Sequence, residues 1–260
     1  MESLKAILYF SIFNYPLRKD EIFKFSKTPK MEVLEAELQE LASKKVIKNI
    51  DGFYIYKDTD SIVKRRLNGN EHSKQVLPKA FKRAQFIAKF PYVASVSLSG
   101  GLSKGYYDDD GDFDFFIITK TKRLWIARTL LILYKKVFLR NNKKHFCVNY
   151  FISDQHLEIH EKNIFTATEL MTLIPITGKD IFQNFMLHNT WPKKYLPNIT
   201  INNSEDIVEV KKPLLPKAIE TICNSKLGNI LEAFFRKVTV NKWKNKFTTL
   251  SKKELNIAMK

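Results

Sequence analysis

Residues 97–119 constrain the chain more than any other stretch. An apolar run, Val93 to Leu98, leads into the paired Gly100-Gly101. Ten residues later comes Asp112-Phe113-Asp114, followed by the apolar run Phe115 to Ile118. The pattern predicts a strand, a tight turn, a short helical entry, a loop and a second strand. Glycines let a backbone approach a phosphate closely, and the N–H groups after them can point at it. Residues two apart on a strand share a face, so Asp112 and Asp114 project together. Two carboxylates beside such a turn make a place for Mg²⁺ and a nucleoside triphosphate.

These residues resemble the signature of the polymerase-beta-like nucleotidyltransferase superfamily: an apolar residue, Gly, Gly or Ser, a spacer, then Asp, an apolar residue, Asp or Glu, and another apolar residue. Gly100, Gly101, Asp112, Phe113, Asp114 and Phe115 match, and Ser99 departs at the first position. The likeness covers about residues 90–155. It implies an α/β (α+β) fold with a mixed sheet and flanking helices. It also implies transfer of a nucleoside monophosphate from an NTP to an acceptor hydroxyl. Asp112 and Asp114 are then the catalytic, Mg²⁺-holding pair. Ser99, Gly100, Gly101, Ser103 and Lys104 are then the nucleotide-binding residues.

The resemblance further implies a third carboxylate on a following strand. Residues 145–152 alternate as that strand, with Phe146, Val148, Tyr150 and Ile152 expected on one face. No carboxylate lies within it; Asn149 stands there instead, with Asp154 at its end and Glu158 beyond. Asparagine can ligate Mg²⁺ but cannot act as a base. Either the third acid comes from elsewhere, or the site binds nucleotide with weakened chemistry.

The N-terminal 58 residues read as three helices and a hairpin, 3–14, 19–26, 30–44 and 46–57, which resembles a winged helix–turn–helix. The third helix presents Glu32, Glu35, Glu37 and Glu40, the wrong sign for a helix lying on phosphates. Lys19, Lys24, Lys27, Lys44, Lys45 and Lys48 surround it and leave nucleic-acid contact open beside protein–protein use. Residues 59–90 read as a connecting segment, a break at Asn68-Gly69-Asn70 followed by a packing helix over 74–89. Residues 91–196 form the central domain, with further helices over 121–140, 163–173 and 179–188. Trp191 and Tyr195 are placed either to stack on a base or to fill a core. Residues 197–212 read as linker, and a basic C-terminal helical region completes 197–260.

The formal charge of +17 divides as +7, +4 and +6 over residues 1–90, 91–200 and 201–260. A field spread this way favours anionic partners. Cys147 and Cys223 suggest neither a disulfide framework nor a zinc site, and the expected location is cytoplasmic. No stretch is long and apolar enough to span a membrane. Asp108 to Asp112 fails as a calcium loop, because Tyr106 and Ile117 stand where acids are needed. Three functions remain: an active transferase, a nucleotide-binding protein with weakened chemistry, and a nucleic-acid-binding regulator.

Overall fold

A computed structural model describes residues 1–56, 61–142, 144–200 and 207–258. The side chain of Asn149 and residues 201–206 of the expected linker lie outside what is described. The protein is built on a four-stranded mixed sheet: β4 (Val93–Ser99), β5 (Asp114–Thr119), β6 (Cys147–Ser153) and β7 (Ile174–Thr177), in the order β6-β5-β4-β7. β4 pairs antiparallel with β5 and β7, and β5 pairs parallel with β6 through the crossover helix α5 (Leu124–Phe138).

Strand alternation gives this sheet two unlike faces. On one, Leu98, Phe115, Ile117 and Val148 pack under α4 (Ser61–Ala88) and α5. Ala80, Ala84 and Ile87 are fully buried there, and the small alanines let α4 lie close to β4. On the other face Phe116 and Ile118 join a continuous core that includes α6 (Ile164–Met171) and α7 (Lys179–His188). The same core runs on into the N-terminal module.

That module contains α1 (Glu2–Ser11), α2 (Lys19–Lys24), α3 (Met31–Ser43) and the hairpin β2 (Lys48–Ile50) and β3 (Phe53–Ile55). A short strand β1 (Leu17–Arg18), not expected from the sequence, adds to β3. The α3 stripe buries Leu34, Leu38 and Leu41. Its acids work locally. Glu37 accepts from Ser3 N and Ser3 Oγ at the start of α1, and Glu35 pairs with Lys19 at 2.5 Å.

Two sequence expectations are corrected. Residues 61–88 are one helix, with no break at Asn68-Gly69-Asn70. A Cβ on Gly69 would fall 2.2 Å from the Tyr106 ring, so this glycine serves close approach rather than a turn. Second, the β6 alternation inverts. The β5–β6 register shifts between Phe115 and Phe116, which partner Val148 and Tyr150. This bulge keeps Phe146 and Val148 on the α4–α5 side, brings Phe151 to join them, and turns Tyr150 and Ile152 to the opposite face.

α8 (Leu214–Cys223) and α9 (Lys226–Ala258) pack on α5 through Ile219, Cys223, Leu231 and Phe235. Their break falls at Asn224-Ser225. Glu220 fastens α8, accepting from Tyr92 N at 2.7 Å and Lys212 Nζ at 2.6 Å. Burial raises the Glu220 pKa, but the Lys212 and Tyr92 hydrogen bonds outweigh it and the net direction is down. Burial also pushes Lys212 down, against the pull of Glu220. A depressed carboxylate stabilises the fold above its unfolded pKa and loses that contribution as pH falls through the folded value. Glu220→Gln is therefore expected to narrow the difference in urea midpoint between neutral and acid pH.

Candidate functional site

The Gly-Gly turn and the aspartates meet at one end of the β4–β5 pair, where Ser99 is the register partner of Asp114. Gly100 has φ +69°, and a Cβ there would lie 2.4 Å from Asp114 Oδ2. Glycine is required both by the left-handed backbone and by the carboxylate pressed against it. The chain then closes a 3-10 turn, Leu102–Lys104, in which Lys104 N donates to Gly101 O at 2.9 Å. Ser103 Oγ donates to Gly100 O at 2.9 Å.

Only Asp114 lies within β5; Asp112 precedes the strand. Phe113 between them is fully buried, its N–H donating to Lys144 O and its carbonyl accepting from Cys147 N, both at 3.0 Å. The alternation thus extends past the strand's end, and Asp112 and Asp114 flank a buried ring. Burial raises the Asp114 pKa first, with Asp112 and Glu169 adding to it against Cys147 and Lys104. Burial, Asp112 and Asp114 likewise raise Tyr107, whose hydroxyl donates to Gly111 O at 2.7 Å.

Sequence reasoning missed Glu169. It projects from α6 to the glycine turn, where Lys104 Nζ donates to its Oε1 at 2.8 Å and Gly100 N to its Oε2 at 3.4 Å. Lys104 Nζ also donates to Gly100 O at 3.0 Å and is only 11% exposed. The lysine and amide expected to cradle phosphate thus converge on a carboxylate of the chain itself. Nothing in the local pattern distinguishes Glu169 from Thr166 or Thr168 as an ordinary polar position. Only the tertiary packing of α6 reveals it.

The loop between glycines and aspartates is anchored on α4. Arg65 pairs with Asp108, Ser73 Oγ donates to Gly105 O at 2.9 Å, and Tyr107 N donates to Gly69 O at 3.0 Å. From the N-terminal module, Tyr15 donates its hydroxyl to Lys104 O at 2.9 Å. A cavity of about 370 Å³ opens beside Asp114, lined by Ser99, Tyr150, Glu161, Phe165 and Glu169 among others. Tyr150 stacks on Phe116 with centroids 5.1 Å apart. A second cavity of about 200 Å³ runs from Gly100 and Lys104 to Tyr9, Phe13 and Tyr15 of the module. Trp191 is buried and Tyr195 half-buried, in edge contact with one another. A larger cavity, about 610 Å³, lies at the opposite end of β4 and β5 beside Tyr92, Lys120 and Arg123, and none of the expected site residues lines it.

Among the described residues no three or more His, Cys, Asp or Glu are grouped to hold a metal ion. Nor is any helix among them long and apolar enough to cross a membrane. Comparison with protein-family models, curated proteins and solved structures finds no match to this chain.

Proposed function

We propose that the protein is a Mg²⁺-dependent nucleotidyltransferase, with the superfamily core and winged-helix-like module that its sequence resembles. The carrying observation is the contact between Gly100 and the Asp114 carboxylate, which sets a phosphate-type turn directly against an acidic group. Asp112 and Asp114 hold the cation, while Ser99, Gly100, Gly101, Ser103 and Lys104 form the phosphate cradle. A hard oxygen donor pair suits Mg²⁺, which is commonly held by one or two carboxylates together with substrate phosphates. The crowding of Asp114 by Asp112 and Glu169 supports this, because a divalent cation relieves it. When bound, Mg²⁺ offsets triphosphate charge and favours loss of the acceptor's proton. The acceptor oxygen bonds to the α-phosphorus, the bond to pyrophosphate breaks, and the acceptor proton passes to a site carboxylate.

Glu169 bears on the order of events. Triphosphate must compete with this carboxylate for Lys104 and the Gly100 amide. A second reading, nucleotide binding without transfer, draws its support from that pairing. The winged-helix-like module then supplies partner contact. Cys147 and Cys223 are buried and form no disulfide, which agrees with a reducing, cytoplasmic setting.

The test is calorimetric titration of the four NTPs with and without Mg²⁺. Wild type is expected to bind at least one of them in a Mg²⁺-dependent manner. The Asp112→Asn/Asp114→Asn protein is expected to bind at least about tenfold more weakly while keeping its far-UV spectrum. Equal binding by both proteins, or none by wild type, overturns the assignment. Mg²⁺-dependent binding with no pyrophosphate released in the presence of any acceptor tested selects the second reading.

A further inference from the structure

From the exposed face of α9 we infer that the protein docks peripherally on an anionic lipid bilayer. Leu227, Ile230, Phe234 and Val238 follow helical spacing, and each is between 50% and 65% exposed. At about 100° per residue they form one stripe along three turns. The adjoining side of the helix is accounted for: Leu231 and Phe235 pack on α5, and, further round, Trp243 meets Trp125 with centroids 5.9 Å apart.

Charge decides what covers the stripe. Lys226 and Lys237 fall on one flank of it and Lys242 on the other, all three exposed. Between residues 226 and 245 Glu232 is the only acid. It faces inward, accepting from Trp125 N and Ile126 N at 2.9 Å at the start of α5. The outward face is therefore apolar at its centre and cationic at its edges. A second copy of the chain fits poorly, since a two-fold interface sets the same patch against itself and would oppose lysine rows with no acid between them. Nucleic acid satisfies the lysines but leaves Leu, Ile and Val side chains with nothing to stack on. A bilayer surface satisfies both, with the stripe entering the headgroup–acyl boundary and the lysine heads reaching the anionic headgroups.

The test uses the full chain and sedimentation with phosphatidylcholine vesicles carrying either no anionic lipid or about 30% phosphatidylglycerol. The anionic vesicles are expected to bind at least about tenfold more tightly, with the difference shrinking as salt rises. Phe234→Asp is expected to lower affinity about tenfold or more, and Lys226→Glu/Lys237→Glu by a similar factor. All three native residues lie at exposed positions, so the circular dichroism spectrum and unfolding midpoint should not move. No binding to anionic vesicles, or equal binding by the variants, overturns the inference. So does a wild-type dimer in light scattering that Phe234→Asp disperses without lipid. Tight binding of a short single-stranded oligonucleotide, lost in the lysine variant while vesicle binding persists, overturns it as well.

Discussion

Gly100→Ala is expected to lower turnover about a hundredfold, because it moves the carboxylate on which the proposed chemistry depends. Two effects combine. An alanine at φ +69° costs roughly 1–2 kcal/mol for the left-handed backbone. Its methyl would also lie 2.4 Å from Asp114 Oδ2 and 3.2 Å from Asp114 Cβ. Asp114 must rotate or β4 must part from β5, and either change displaces Ser99 from its register partner. The Gly100 carbonyl moves too, and with it the acceptor shared by Ser103 Oγ and Lys104 Nζ. Gly105→Ala is the control. Its φ is +73°, but a Cβ there meets nothing within 4 Å. It should carry the backbone cost alone and keep Mg²⁺-dependent nucleotide binding. Isothermal titration and urea unfolding of both variants separate the effects. If Gly105→Ala loses nucleotide binding as completely as Gly100→Ala, the contact with Asp114 is not what matters.

The central stretch was legible because its signals are local. A β-prone run, paired glycines and an Asp-Phe-Asp before four apolar residues specify strand, turn and strand from near neighbours alone. The hairpin at Asp51-Gly52 and the helix over residues 179–188 were legible for the same reason. What escaped was set by distant contacts. Gly69 reads as a breaker until Tyr106 is found lying over it. Pro175 breaks a helical pattern, yet it lies in β7, an edge strand, where a missing N–H is tolerated. The β6 faces followed strict alternation until one bulge reversed them, and it is this reversal that puts Tyr150 beside Asp114. Glu169 belongs to the same class. A helix carrying a single glutamate among threonines has no local mark of a partner 65 residues earlier.

Arg66→Met is expected to destabilise the fold by about 2–4 kcal/mol, the cost of breaking one side of a largely buried ion pair. Arg66 is 2% exposed on α4 and pairs with Glu21 on α2. Its guanidinium lies 3.7 Å from the centroid of the Tyr15 ring, and its Nη1 donates to Asn70 Oδ1 at 3.2 Å. Burial raises the Tyr15 pKa and Arg66 opposes it, while the Tyr15 hydroxyl reaches Lys104 O. One side chain therefore joins α4, the N-terminal module and the residue that supports the glycine turn. Glu21 also accepts from Arg18 N at 2.9 Å, so losing Arg66 leaves a carboxylate with one neutral partner in a poorly solvated place. Adding Glu21→Gln to Arg66→Met removes that charge. Recovery of about half the loss in urea unfolding would assign the destabilisation to the stranded carboxylate. No recovery would assign it to the lost stacking on Tyr15 and the cavity left beneath it. An Arg66→Met midpoint equal to wild type would show that the guanidinium's desolvation already cancels everything it gains from Glu21 and Tyr15.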